Sequence, residues 1–162
     1  LTEAGDTMKV QKADVAALHQ VLAATELDRY GPGDLLAAFA EARDPARGGV
    51  LKKAGFDDTV RGLVQGDRLS EEEKEFLSFA LSNVFFAFDR DNRAEVRFEE
   101  FASGFLLFAG GSKSEKLALA FRMFDADNDG LLSRAEVFRY VRSFLTALLA
   151  LNEASSNASR HP

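Results

Sequence analysis

Oxygen-bearing side chains alternate along a twelve-residue segment, residues 125–136, that lies between two stretches with helical spacing. Asp125, Asp127 and Asp129 stand at its positions 1, 3 and 5. Gly130 follows at position 6, where a sharp turn requires a positive φ, and this turn brings the three carboxylates around one point. Hard oxygen ligands in this arrangement are those that Ca²⁺ takes in proteins. The segment therefore predicts a calcium-binding loop.

The remaining positions of this loop supply the rest of a calcium coordination sphere. Leu131 at position 7 offers its backbone carbonyl, and Ser133 at position 9 can hold a water ligand. Glu136 at position 12 offers a bidentate carboxylate from the following helix, whose N-terminus the Ser133 hydroxyl can also cap. An acidic solvated turn is the alternative, and it does not account for the agreement at all of these positions.

A second twelve-residue segment, residues 89–100, begins 36 residues earlier (125 − 89) and keeps only part of the pattern. Carboxylates remain at positions 1, 3 and 12, namely Asp89, Asp91 and Glu100. Arg93 and Arg97 replace oxygen ligands at positions 5 and 9. Ala94 at position 6 must adopt a left-handed conformation, which costs roughly 1–2 kcal/mol. We expect this loop to fold without calcium, with the Arg93 guanidinium in the place of the ion and paired with one of the three carboxylates.

Helical spacing of apolar residues dominates the chain and predicts an all-α fold. Ser70 with Glu73, and Ser112 with Glu115, form capping boxes that predict helix starts at about residues 71 and 113. The first of these two helices should end at about residue 88. Near the start of the chain, Asp34 is the predicted N-cap of a further helix.

The composition excludes several classes of function. The net charge is −6, whereas nucleic-acid binders concentrate Lys and Arg on one face. The chain has no cysteine, and its apolar runs are shorter than the roughly 20 residues that span a bilayer. His19 has no nucleophile or second histidine beside it, so a catalytic role is not supported. We therefore expect a protein that is not an enzyme, does not bind nucleic acid and has no transmembrane segment.

The segment from Phe98-Glu99-Glu100-Phe101 through Ser112 and Glu115 to Asp125 resembles the EF-hand superfamily, in particular proteins of the neuronal calcium sensor and calcineurin B type. The resemblance covers about residues 71–150. It implies helix-loop-helix units, here called hands, that work in pairs joined by short two-stranded bridges. It also implies a hydrophobic groove that receives an amphipathic helix of a target protein or of the parent chain. In the bridge between the two loops, Val96 and Leu132 at position 8 should face each other.

The first half of the chain contains two candidates for decayed hands. Residues 44–55 keep the apolar Leu51 at position 8 and Phe56 just after position 12, but they lack most of the ligands. Residues 3–14 show the same two anchors more weakly, and two ordinary helical hairpins are the alternative. We predict a degenerate pair or hairpins in residues 1–66, and a pair in residues 71–151. These would form two lobes.

Residues 152–162 lose all apolar periodicity and predict a flexible tail or linker. The predicted helix before this tail is apolar on more than one face, and an isolated pair of hands could not bury all of it. The surplus must pack on the first lobe, on another copy of the protein or on a partner.

Fifteen phenylalanines against two methionines predict a groove for a narrower set of partners than a methionine-rich one would accept. Calcium should open this groove, whose expected lining is Phe85, Phe101, Phe105, Phe121, Phe138 and Phe144. The sequence thus predicts a calcium-responsive sensor or regulatory module. The alternative is a constitutive scaffold or homodimer that a single calcium ion stabilises.

Overall fold

Seven helices and one small sheet form the fold in a computed structural model, which describes residues 12–47, 49–125 and 127–158. The helices are α1 (Lys12–Thr25), α2 (Pro32–Glu41), α3 (Lys53–Leu63), α4 (Glu71–Phe88), α5 (Phe98–Phe105), α6 (Lys113–Phe124) and α7 (Arg134–Ala158). The strands are β1 (Arg43–Asp44), β2 (Val50–Lys52) and β3 (Glu95–Arg97). The predicted helical fold is confirmed, with a three-stranded antiparallel sheet added to it. None of the described helices is both long and apolar enough to cross a membrane.

Both predicted capping boxes are present. The Ser70 backbone N–H and hydroxyl donate to the Glu73 carboxylate at 2.8 and 2.9 Å, and together they lower the pKa of Glu73. Ser112 and Glu115 repeat this arrangement at the start of α6, with the same lowering of the pKa of Glu115. These reciprocal bonds satisfy backbone N–H groups that the first turn of a helix leaves without partners, so they fix where α4 and α6 begin.

Helix α2 begins earlier than its sequence predicted. Its N-cap is Gly31 and Pro32 occupies the first turn, so the prediction of Asp34 as N-cap was wrong. Proline is favoured at the first helical position because its φ is already helical and its missing N–H needs no partner there. Asp34 instead lies in the first turn, where the helix dipole favours a negative charge.

The sheet joins two loops from different halves of the chain. Leu51 of loop 44–55 is opposite Val96 of loop 89–100 in the antiparallel register of β2 and β3. The prediction that Val96 would face Leu132 was therefore wrong. Both residues of the observed pair are buried, and the residues that follow position 12 in these two loops, Phe56 and Phe101, are buried beneath them. In the paired loops, the apolar residue at position 8 and the phenylalanine after position 12 are thus both removed from water.

Three hands follow from this arrangement within the described residues. Hand 1 consists of α2, loop 44–55 and α3, and hand 2 consists of α4, loop 89–100 and α5. Hand 3 consists of α6, loop 125–136 and α7. The candidate hand with loop 3–14 lies outside the described residues except for the start of α1. Hands 1 and 2 form the pair that the sheet joins.

Phenylalanine rings fill the space between the helices of this pair. Six of them are almost completely buried: Phe39, Phe56, Phe85, Phe101, Phe105 and Phe108. Phe39 contacts Phe105 edge to face at 4.9 Å between ring centroids, and Phe101 stacks on Phe105 at 5.2 Å. The predicted Phe-rich groove is not confirmed, because three of its six residues belong to this closed core. Two lobes are not confirmed either, because one hydrophobic cluster extends from α1 to α7.

Helix α7 is 25 residues long and packs on α4, α5 and α1. Ala147, Leu148, Ala150 and Leu151 are buried there, so part of the apolar surplus of this helix packs on the rest of the chain. The helix also continues through residues 152–158, where the sequence predicted a flexible tail. Extending an existing helix by a residue costs far less than nucleating one, so weak helix formers can prolong it.

Helices α5 and α7 approach each other closely at Gly104. A Cβ atom at this glycine would lie 2.6 Å from the Ser143 carbonyl oxygen and 2.6 Å from the end of the Phe88 ring. Only a residue without a side chain allows this crossing. The glycine therefore determines how closely α7 docks on hand 2.

We predict that Gly104→Ala lowers the free energy of unfolding by about 1–3 kcal/mol, because the added methyl group must push α7 away from α5. Gly62→Ala is the matched control, since Gly62 lies in α3 with no atom within 4 Å of a Cβ built there. This control should be neutral or stabilising by up to about 1 kcal/mol. Urea unfolding followed by circular dichroism measures both changes, and equal stability of the two variants would contradict the close crossing.

Candidate metal centre

Loop 125–136 brings three carboxylates together at the end of α6. Asp125 is the C-cap of α6, and its side chain is almost buried, whereas Asp127 and Asp129 are exposed. One carboxylate oxygen from each lies within 4.8 Å of the other two. Like charges at this distance repel one another, and a divalent cation at their centre would convert that repulsion into attraction. This is the one such acidic cluster among the described residues.

Backbone hydrogen bonds hold the first half of this loop in its curled form. Asp125 accepts the Asp129 and Gly130 N–H groups, both at 3.1 Å, and Asp129 accepts the Leu131 N–H at 2.7 Å. Gly130 has φ 78°, as the sequence predicted for position 6. The loop backbone is therefore arranged for a ligand by the same aspartates that would bind it.

The second half of the loop holds Glu136 at the start of α7. The Ser133 N–H donates to the Glu136 carboxylate at 2.7 Å, and the Glu136 N–H donates to the Ser133 hydroxyl at 3.3 Å. The predicted capping role of Ser133 is thus confirmed. The acidic cluster consists of the three aspartates, while the Glu136 carboxylate is engaged by the helix start. Ligation of an ion by Glu136 therefore requires its side chain to move toward the cluster.

Loop 89–100 has the same backbone form without the acidic cluster. Asp89 accepts the Arg93 N–H at 3.0 Å and the Ala94 N–H at 2.8 Å, which are the counterparts of the two bonds to Asp125. Ala94 has φ 56°, so the left-handed conformation predicted for it is confirmed. The side-chain bonds of position 1 and the bridge to β2 hold this loop in shape.

Two arginines other than the predicted one neutralise the carboxylate at position 12 of loop 89–100. Glu100 pairs with Arg90 at 2.6 Å and with Arg142 of α7 at 3.2 Å. The hypothesis that Arg93 would take the place of the ion was wrong, since its guanidinium pairs with none of the described carboxylates. The sequence could have indicated Arg90, because it is a cation within loop 89–100 itself. It could not have indicated Arg142, because 42 residues separate it from Glu100 and only the docking of α7 brings them together.

Loop 44–55 keeps the turn of a hand but has lost the ligands. Gly49 at position 6 has φ 74°, and Asp44 at position 1 pairs with Lys52 at 3.3 Å. The structure groups no three acidic residues among the described residues of this loop. Its part in the molecule is the strand β2, which pairs with β3.

Comparison with known proteins also bears on the predicted resemblance to EF-hand proteins. Calcineurin B of Candida glabrata is 52% identical over 52 residues, which are 32% of this chain and 30% of that protein. Calcium-binding protein NCSA of Dictyostelium discoideum is 27% identical over 120 residues, 70% of this chain and 59% of that protein. Calaxin of Homo sapiens is 37% identical over 65 residues, 40% of this chain and 31% of that protein.

These similarities cover only part of each relative, from about a third to about three fifths of its length. No protein-family model and no solved structure matches the chain. Calcium binding is stated in the name of the Dictyostelium relative. Together with the hands seen in the structure, the similarities confirm that this chain resembles EF-hand calcium-binding proteins of the calcineurin B and neuronal calcium sensor type.

Proposed function

We propose that this chain is a calcium-responsive regulatory module in which loop 125–136 binds one Ca²⁺ and α7 transmits its presence to hand 2. The observation that carries this proposal is the cluster of Asp125, Asp127 and Asp129 within 4.8 Å on a backbone already curled for an ion. The resemblance to calcium sensors supports it. The proposal contains no chemical reaction.

Six groups would hold the ion. Three are the clustered aspartates, and the others are the Leu131 carbonyl, a water held near Ser133 and the Glu136 carboxylate. The bound ion would supply two positive charges and would tie the end of α6 to the start of α7. Because Glu136 is engaged by Ser133 in the structure, its turn toward the cluster is the step that would shift α7.

Helix α7 is suited to carry this shift to hand 2. It packs on α4 and α5, its residues Ala147, Leu148, Ala150 and Leu151 are buried, and Arg142 pairs with Glu100 of hand 2. The Glu100 carboxylate is mostly buried, with a side-chain exposure of 13%, so it cannot be released to water without a loss of interaction. A displacement of α7 would therefore change the Arg142–Glu100 pair and, with it, the position of Glu100 in loop 89–100.

The partner that we propose is an amphipathic helix, and its site is the open cleft between α3 and α4. This cleft has a volume of about 960 Å³. Its apolar lining is Phe56, Val60, Val64, Leu69, Leu77 and Leu81. Four basic residues (Lys53, Arg61, Arg68, Lys74) and two acidic ones (Asp57, Asp67) surround it. Three of the basic residues are paired with carboxylates, Lys53 with Asp57, Arg61 with Asp58 and Lys74 with Glu71. The apolar lining of the cleft is therefore what would bind the apolar face of the helix, and the paired charges at its rim would contact the polar residues on either side.

Titration calorimetry of the wild-type chain should give one strong calcium site. Glu136→Gln removes the bidentate ligand of loop 125–136 and should abolish binding, because a neutral amide offers one oxygen and no charge. Glu100→Gln is the matched control at position 12 of loop 89–100, and it should leave the calcium isotherm nearly unchanged. Two strong sites in the wild-type chain, or loss of binding in the control, would contradict the assignment.

Loop 89–100 should regain calcium binding when its missing features are restored. Arg93→Asp with Ala94→Gly supplies a carboxylate at position 5 and a permissive residue at the turn, so a second, weaker site should appear. Adding Arg90→Ala removes a cation bonded to Glu100 and should tighten this second site. Calorimetry measures both changes. A single site in the triple variant would show that the loop is silent for another reason.

The sensor and the scaffold differ in how far the effect of calcium extends. In the scaffold, the closed phenylalanine core and the packed residues Ala147 to Leu151 of α7 would stay in place, and calcium would raise the melting temperature alone. We expect the sensor, in which amide exchange also changes in α3, α4 and α5. Hydrogen exchange with and without calcium separates the two, and Glu136→Gln controls for effects of the ion elsewhere. Changes confined to residues 121–145 would support the scaffold.

A further inference from the structure

Within the part of the chain that the structure describes, hand 3 has no strand partner like the one that hands 1 and 2 give each other. Leu132 stands at position 8 of its loop, as Leu51 and Val96 do in theirs. Those two are joined across the sheet, whereas the Leu132 N–H and carbonyl bond to no residue that the structure describes. A free edge of this kind is a template for pairing with another strand.

The apolar surface of hand 3 is also exposed where that of hand 2 is buried. The two loops are offset by 36 residues (125 − 89), so Leu81, Phe101 and Phe105 of hand 2 correspond to Leu117, Val137 and Val141 of hand 3. The exposures are 3%, 0% and 1% in hand 2, against 52%, 43% and 41% in hand 3. The same three positions are therefore buried in hand 2, which the sheet pairs with hand 1, and exposed in hand 3, for which the described residues provide no such pairing.

This exposure is concentrated on one part of the molecule. Of the nine large hydrophobic residues that are exposed among the described residues, six lie in hand 3: Leu117, Leu131, Val137, Phe138, Val141 and Phe144. Val137, Val141 and Phe144 follow one another at helical spacing on α7 and form a continuous stripe. A surface of this kind marks an interface.

We infer that hand 3 pairs with hand 3 of a second copy of this chain, with the two Leu132 residues opposite each other across a twofold axis. The inference extends the proposed function, since it assigns a partner to the calcium-binding hand. The Leu51–Val96 pair joins position 8 of one loop to position 8 of another in antiparallel register. Because both partners contribute position 8, the pairing is symmetric. Two copies of the same loop can therefore form it across a twofold axis, as an isologous interface requires.

The charges of the loop make this pairing depend on calcium. Four carboxylates, those of Asp125, Asp127, Asp129 and Glu136, stand close to Leu132 in each copy, against the single cation of Arg134 within the loop. Two loops without an ion would therefore repel each other at the twofold axis. One Ca²⁺ in each loop removes two negative charges per copy, and the bridge can then form.

A single cysteine tests the geometry directly, because the chain contains none. In an antiparallel pair the opposed Cα atoms lie about 4.5–5.5 Å apart, which is within the range that a disulfide spans. Calcium-loaded Leu132→Cys should therefore form a disulfide-linked dimer about tenfold or more faster than Gly62→Cys, whose cysteine would lie exposed on α3. Equal rates for the two variants would overturn the inference.

Sedimentation of the unmodified chain tests the surface without a crosslink. The mass should double on calcium addition at protein concentrations on the order of 100 μM. Val141→Asp should keep the chain monomeric, whereas Val15→Asp on α1, at the same exposure of 41%, should not. Calorimetry on the same samples separates the two proposals. A chain that binds calcium and remains monomeric, for example because residues 1–11 pair with the loop, overturns the second-copy inference alone. Absence of calcium binding overturns the proposed function as well.

Discussion

The antiparallel contact between Leu51 and Val96 determines which hands of this protein form a pair. Each of these residues is followed five positions later by a phenylalanine of the core, so the contact also positions Phe56 and Phe101 over the same cluster of rings. The helices of hands 1 and 2 close around this cluster. Helix α7 packs on α4 and α5 of this pair. The position of the candidate calcium loop therefore depends on a bridge between two loops that lack its full set of ligands.

Two loops of the same backbone form neutralise their carboxylates in different ways. Loop 125–136 gathers carboxylates that a divalent cation would neutralise, whereas Glu100 of loop 89–100 is neutralised by guanidinium groups. Neutralisation by side chains is permanent and independent of ion concentration. One of these groups, that of Arg142, belongs to the helix that begins at the candidate calcium loop. Loop 89–100 is thereby tied to α7 through the Glu100–Arg142 pair.

Local features of the sequence were sufficient to predict what depends on local physics. The twelve-residue spacing, the positive φ at Gly130 and Ala94, and the capping boxes at Ser70 and Ser112 all arise within a few residues. The start of α2 was missed because an acidic residue and a proline offered two competing helix starts. The residue opposite Val96, by contrast, could not be read from the chain, since Leu51 and Leu132 are equally good apolar residues at position 8.

Contacts that depend on docking were also beyond prediction. The spacing of residues around Arg142 indicates no partner for it, and its contact with Glu100 depends on the packing of α7 on α5. The end of α7 was placed too early because its apolar periodicity ends before its backbone hydrogen bonds do. In the first case the deciding interaction joins segments that are distant in sequence, and in the second it is carried by the backbone, so residue spacing reveals neither.

The close crossing at Gly104 gives α7 the geometry of a lever arm. The contact with Ser143 lies seven residues after Glu136 and eight residues before Leu151, so at 1.5 Å per residue the two arms measure roughly 10 and 12 Å. A rotation about this contact would move the two ends by similar distances in opposite directions. An ion that draws Glu136 inward would therefore displace the buried Leu151 by a comparable amount.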